Sequence, residues 1–182
     1  MKANRHINKV AVIGSGIMGS RIACHFANIG VEVLLLDIVP FDLTEDQKQD
    51  SQIKNSIVNE ALKSTLKSKP SPIYSKEFVS RITTGNLEDD LHKIANVDWI
   101  IEVVVERLDI KKQVFEKIEK FRKEGTLISS NTSGIPIESM LEGRSEDFQK
   151  HFCGTHFFNP PRYLKLLEII PSTKTSTEIV DF

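Results

Sequence analysis

His156 and Glu168 stand twelve residues apart in GTHFFNPPRYLKLLEII (154–170), inside runs that otherwise read as core. An imidazole and a carboxylate cost folding energy if buried without partners, so each is expected to have one. Pro160, Pro161 and Arg162 between them allow the chain to turn back. That turn would set the two residues on neighbouring paired strands. A carboxylate so placed holds an imidazole in one tautomer and stabilises the imidazolium as it forms. Histidine titrates near neutrality and suits the removal of an alcohol proton. A buried structural His–Glu pair is the alternative. The choice depends on what else reaches the same place.

A second constellation lies at the other end of the chain. KVAVI (9–13) runs into GSGIMG, which places Gly14, Gly16 and Gly19 in the G-x-G-x-x-G spacing, with Ile17 and Met18 between the last two. The spacing alone is weak. Here a strand pattern precedes it, a helix pattern follows, and Asp37 closes the next strand eighteen residues after Gly19. That context is the dinucleotide-binding fingerprint. Gly14 permits the tight turn, Gly16 lets the backbone approach a pyrophosphate, and Gly19 lets the helix pack close to the sheet. The helix N-terminus then offers free N–H groups to the phosphates. A carboxylate at Asp37 would accept from ribose hydroxyls and oppose a 2′-phosphate, and Ile38 and Val39 supply no arginine for one. NAD is therefore expected rather than NADP.

The elements that must position these groups alternate between strand and helix patterns, as in parallel βαβ units. Strands are expected at 9–13, 31–37, 81–85, 98–105, 126–131, 152–158 and 164–170, and helices at 17–29, ended by Gly30, and 109–123. The near-continuous apolar run at 98–105 suits a strand buried on both faces. The fold class is therefore α/β: a Rossmann-like doubly wound, mainly parallel sheet with helices on both faces. In such sheets ligands sit outside the carboxyl ends of the strands. Glu106, Asn131, Thr132, Ser133 and His156 all fall there and would converge.

Residues 38–80 make a connection much longer than usual. Its middle, QIKNSIVNEALKSTLKSK, has helical spacing and many lysines, and a projecting helix is expected over 53–69. Its lysines suit either a solvated face or contact with an anionic ligand.

Composition bounds the rest. The chain has 182 residues, 40% of them apolar and 27% charged, which suits one domain with a well-buried core. A net charge of -1 argues against a nucleic-acid footprint. No apolar run reaches a membrane span. The basic N-terminal stretch leads into VAVI and glycines, which reads as a first strand and not a signal peptide. Cys24 and Cys153 suggest neither a disulfide framework nor a metal site. A cytoplasmic setting is the simplest expectation.

GSGIMGSRIACHFANIG, IIEVVVERLDIKK, SSNTSGIPI and GTHFFNPPRYLKLLEII together resemble the NAD-binding domain of 3-hydroxyacyl-CoA dehydrogenases, over nearly the whole chain. The HFFNP segment is far more specific than the glycine loop. ANIGVEVLLLDIVP and HFFNPPRYLKLLEIIP look most like the long bacterial members, in which such a unit begins a fatty-acid β-oxidation protein with an enoyl-CoA hydratase-like region. The resemblance implies NAD-dependent oxidation of an L-3-hydroxyacyl-CoA. It makes His156 the base, Glu168 its orienting partner, and Ser133 a contact for substrate hydroxyl and cofactor. It makes Glu106, Lys111, Asn131 and Asn159 cofactor contacts. Ala61 stands where members often carry a serine against CoA, which leaves Lys63, Lys67 and Lys69 to meet its phosphates by charge. The family's C-terminal helical domain, which supplies a catalytic asparagine and is expected to carry oligomerisation, is not in this sequence. A hydroxybutyryl-CoA or other hydroxyacid dehydrogenase of the same superfamily, and a non-catalytic NAD-binding module, are the rival readings.

Overall fold

A computed structural model describes residues 5–182. The first four residues of the basic N-terminal stretch lie outside the described residues. Seven strands form one sheet: β1 (Lys9–Ile13), β2 (Glu32–Asp37), β3 (Ile82–Asn86), β4 (Trp99–Glu102), β5 (Leu127–Ser130), β6 (Phe152–Phe157) and β7 (Leu167–Pro171). Their spatial order is β3-β2-β1-β4-β5-β6-β7. Strands β1 to β6 pair in parallel, and β7 returns antiparallel to β6. The helices are α1 (Ile17–Asn28), α2 (Ser51–Lys54), α3 (Ser56–Leu66), α4 (Leu108–Phe121), α5 (Ile137–Met140), α6 (Glu146–Lys150) and α7 (Thr177–Asp181). This is the expected Rossmann-like α/β architecture.

Side chains alternate across a strand, and both faces of this sheet are covered except at the edge strand β7. Val10 and Val12 of β1, Val33 and Leu35 of β2 and Ile101 of β4 pack under α1 and α3 with Ile22, Phe26, Val58 and Leu62. Ala11, Ile13, Leu34, Leu36, Ile100 and Ile128 face the other way, against Val114, Phe115 and Ile118 of α4. Helix α1 stops where Gly30 takes φ +92°, a conformation that costs glycine little.

Three expectations need correction. Strand β4 ends at Glu102, not at residue 105. Its neighbour β1 turns into the glycine loop after Ile13, so beyond Val103, which still donates to the Ile13 carbonyl at 2.8 Å, the chain has no strand to pair with on that side. The lysine-rich helix does not project. It breaks at Asn55, and α3 lies on α1, β2 and β3 because Val58 and Leu62 are buried there. The expected strand over 164–170 begins only at Leu167 and is not core. β7 is a solvent-exposed edge along its whole length, with Ile169 45% and Glu168 49% exposed. The polar ending at 176–182 contains α7, anchored by Ile179 against Leu127 and Cys153.

Candidate active site

The carboxyl ends of β1, β2, β4, β5 and β6 form one rim. At the end of β1, Gly14 takes φ +103°, and a Cβ there would stand 2.7 Å from the Val103 carbonyl oxygen. At Gly19 a Cβ would stand 1.8 Å from the Gly14 oxygen. These two glycines are required by close backbone approach inside the protein. Gly16 differs, since a Cβ there would meet no protein atom within 4 Å. The space above it is open to a ligand. Helix α1 begins next, with no side-chain cap and no acid in its first turn. Its first N–H groups therefore need an acceptor from elsewhere. Ile17 is 70% exposed and Met18 partly exposed at that mouth. An anionic pyrophosphate fits this cradle by charge, by hydrogen bonding and by space.

Asp37 closes β2 beside the loop. Its Oδ2 accepts from Ser15 N at 2.6 Å and Ser15 Oγ at 2.5 Å, and its Oδ1 from Ile38 N at 2.7 Å. These contacts fix the carboxylate at the strand end, where it remains partly exposed. Ser15 was not singled out from the sequence, although its place inside the glycine spacing was visible.

His156 and Glu168 are directly opposed in the β6–β7 register. His156 Nδ1 lies 2.8 Å from Glu168 Oε2. A carboxylate only accepts, so Nδ1 carries the proton of this contact, and in the neutral imidazole Nε2 keeps the free lone pair. The imidazole is 23% exposed, so the pair opens to solvent and is not a buried one. The cost argument that drew attention to Glu168 therefore fails, although the pairing it suggested is present.

That cost argument applies instead to a carboxylate the sequence reading passed over. Glu102, in IIEVVV, is fully buried and faces the fully buried Lys111 of α4. Lys111 Nζ lies 2.9 and 3.0 Å from the two Glu102 oxygens, and Ser130 Oγ donates to Oε2. Glu102 Oε1 also accepts from Val104 N at 2.7 Å, which turns the chain out of the sheet. Burial pushes the Glu102 carboxyl upward against the pull of Lys111 and Ser130. Lys111 was expected to touch the cofactor. With no exposed surface it cannot do so in this arrangement, and it reaches Glu106 Oε2 from beneath at 3.3 Å.

Glu106 is 42% exposed and faces the rim. Its Oε1 accepts from Thr132 Oγ1, from Ser133 N at 3.3 Å and from Gly134 N at 3.2 Å. Partial burial pushes its carboxyl up. The Thr132 hydroxyl, the Lys111 charge and the Gly134 N–H outweigh that and hold it below the ordinary glutamate value. Ser133 is exposed, and its hydroxyl makes no hydrogen bond among the described residues. Asn131 Oδ1 accepts from Phe157 N at 2.9 Å and so extends the hold of β5 on β6 past the last ladder pair. Asn159 is exposed, and its Oδ1 accepts from Arg21 of α1, a residue the sequence reading did not flag. Lys63, Lys67 and Lys69 are exposed at and just beyond the end of α3, with no ion pair among the described residues.

The family model described as "3-hydroxyacyl-CoA dehydrogenase, NAD binding domain" matches residues 9–182. The chain belongs to this family. A Bacillus subtilis protein named as a 3-hydroxyacyl-CoA dehydrogenase is 55% identical over 98% of the chain. A Rickettsia felis protein named as a fatty acid oxidation complex trifunctional enzyme is 43% identical over 96% of it. The chain spans 23% of the length of each of these two relatives. Among solved structures, the 3-hydroxybutyryl-CoA dehydrogenase of Escherichia coli K12 superposes with a TM-score of 0.71 at 30% identity, covering 97% of this chain and 35% of that one. The cofactor of this domain is NAD, and the cradle at Gly16 and α1 has the chemistry to hold it.

Proposed function

We propose that this domain serves NAD-dependent oxidation of an L-3-hydroxyacyl-CoA to the 3-ketoacyl-CoA. The observation that carries the reading is the His156–Glu168 pair at 2.8 Å, set on the same rim as the glycine loop. NAD, when bound, supplies the hydride acceptor. His156 Nε2 takes the hydroxyl proton, and Glu168 steadies the imidazolium through Nδ1–H. The free Ser133 hydroxyl is placed to orient the substrate oxygen. Asp37 selects the ribose end, and Glu106 and Asn159 face the cofactor between these groups.

A role in fatty-acid β-oxidation is supported by the name of the Rickettsia relative. The resemblance to the E. coli structure favours a short acyl chain as the second reading. Lys63, Lys67 and Lys69 offer charge to CoA phosphates from the exposed end of α3. A cytoplasmic setting fits the bacterial relatives, and among the described residues no helix is long and apolar enough to cross a membrane. The exposed β7 edge is where a C-terminal helical region would dock and carry self-association.

Steady-state NADH formation by the complete polypeptide, with 3-hydroxyacyl-CoA substrates from short to long chain, tests the reading. Saturable turnover with the L-isomer is expected. No turnover with any chain length would reject it. Activity that falls with salt, and falls less in a triple lysine-to-alanine variant at 63, 67 and 69, is expected of the CoA contact.

A further inference from the structure

Glu102 and Lys111 form a buried ion pair that the proposed chemistry does not use directly. Burying two ions costs several kcal/mol each, and well-packed apolar residues of similar size are often as stable. Stability is therefore a poor reason for the pair to exist. Its geometry suggests another. One ammonium faces two carboxylates, Glu102 at 2.9 Å from the buried side and Glu106 at 3.3 Å toward the rim. Glu106 spends its other oxygen on Thr132, Ser133 and Gly134. Glu102, Lys111 and Glu106 thus connect the end of β4 to the Thr132–Gly134 loop after β5, through charge-assisted hydrogen bonds at either end and an ion pair at 3.3 Å between Lys111 and Glu106.

We infer that Glu102 is a positioning residue for cofactor binding: it holds the Lys111 ammonium beneath Glu106, and Lys111 in turn fixes Glu106 and the Thr132–Gly134 loop at the rim. The inference rests on the reading that Glu106 faces the cofactor. Glu102 itself touches neither cofactor nor substrate, being fully buried. Without its charge, the ammonium loses its two-oxygen acceptor and cannot stay dry beside a half-exposed carboxylate. Glu106 then loses its partner from below and the loop loses its anchor. Ser130 completes the device by donating to Glu102 Oε2 from the neighbouring strand.

The test is NAD affinity of this chain by calorimetry, for Glu106→Gln, Glu102→Gln, and the two combined. Each single change is expected to weaken NAD about tenfold, the loss of one charge-assisted hydrogen bond. The double variant is expected to be no weaker than either single one, because both act through the same group. Unchanged affinity in Glu106→Gln would reject the reading of Glu106 as a cofactor contact. A loss in Glu106→Gln but not in Glu102→Gln, or full additivity of the two, would overturn the inference and leave that reading standing. Glu102→Gln/Lys111→Met removes both buried charges at once, and serves if the single buried change prevents folding. It is expected to bind NAD as weakly as Glu106→Gln, and wild-type affinity would overturn the inference. The wild type gives an independent measurement by NMR. The Lys111 ammonium protons are expected to exchange with water far more slowly than those of Lys63, and equal exchange would also overturn it.

Discussion

The imidazole of His156 has one nitrogen committed to Glu168 and one free, and that division sets what each side chain contributes. His156→Ala in the complete enzyme removes the base, and turnover is expected to fall about a hundredfold or more. Glu168→Gln keeps the shape but no longer balances an imidazolium. It is expected to lower kcat by less than His156→Ala, with NAD affinity unchanged. Stopped-flow and steady-state NADH formation measure both, and full activity in either variant would remove that residue from the mechanism. The two cysteines make a second prediction at this scale. Cys24 and Cys153 are 0% and 3% exposed, and burial pushes both thiols from 9.0 up to about 11. Above pH 9 the unfolded chain ionises them while the folded chain does not. The folded-state value is raised, so stability is complete below pH 9 and falls as pH rises toward 11, by roughly 2–3 kcal/mol per thiol. Urea melts at pH 8 and pH 10.5 read this difference. A slope that persists in Cys24→Ala/Cys153→Ala would assign it to other groups.

At the scale of the element, the glycine loop separates two requirements that the spacing alone merges. Gly19 is fixed by protein contact, since its Cβ would collide with the Gly14 carbonyl oxygen at 1.8 Å. Gly16 has nothing of the protein near it. Gly19→Ala is therefore expected to lower the melting temperature, with a destabilisation of about 1–3 kcal/mol as is typical of overpacking, or more if the backbone cannot move. Gly16→Ala is expected to melt within about two degrees of wild type, as for an exposed change, yet to lose NAD binding. Thermal unfolding and calorimetry on the two variants form one experiment, and loss of stability in Gly16→Ala with NAD binding intact would invert the assignment. The lysine-rich insertion belongs to the same scale. α3 packs on the sheet through Val58 and Leu62, so only its exposed face is available to a ligand.

Across the whole molecule, Asp37, Glu106, Asn131, Ser133 and His156 lie at or just after the carboxyl ends of their strands, and β7 beside them is exposed on both faces, whereas Lys63, Lys67 and Lys69 stand at and just beyond the end of α3 away from that rim. Catalysis needs the substrate held within near-attack distance of both hydride acceptor and base. Among the described residues, the proposed site holds cofactor and base on this rim and includes no group that would fix the acyl chain against them. The isolated chain is expected to fold cooperatively and to bind NAD, but to oxidise 3-hydroxyacyl-CoA poorly or not at all. Turnover by the purified chain at the rate of a full-length relative would contradict this. Failure to bind NAD at all would contradict the cofactor cradle described above.

The order of strands and helices, the glycine loop with its acid, and the meeting of His156 with Glu168 are determined by the sequence, because each rests on local spacing. Period-two and helical patterns set the elements, Gly14 and Gly19 set one turn, and two prolines set a return between two strands. Burial is not local in this sense. Glu168 and Glu102 each sit among aliphatic residues, and nothing in either neighbourhood says which one is covered. Only the tertiary structure decides, because β7 is an edge that nothing in the described chain overlies, whereas β4 is flanked by β1 and β5 and covered by α4. The same cause ends β4 early, since Val104 and Val105 lose their partner when β1 turns away at Gly14. It also directs Lys111 inward. A lysine at that spacing fits the cofactor side as well as the core side, and the buried carboxylate of Glu102, nine residues back on a neighbouring element, draws it to the core.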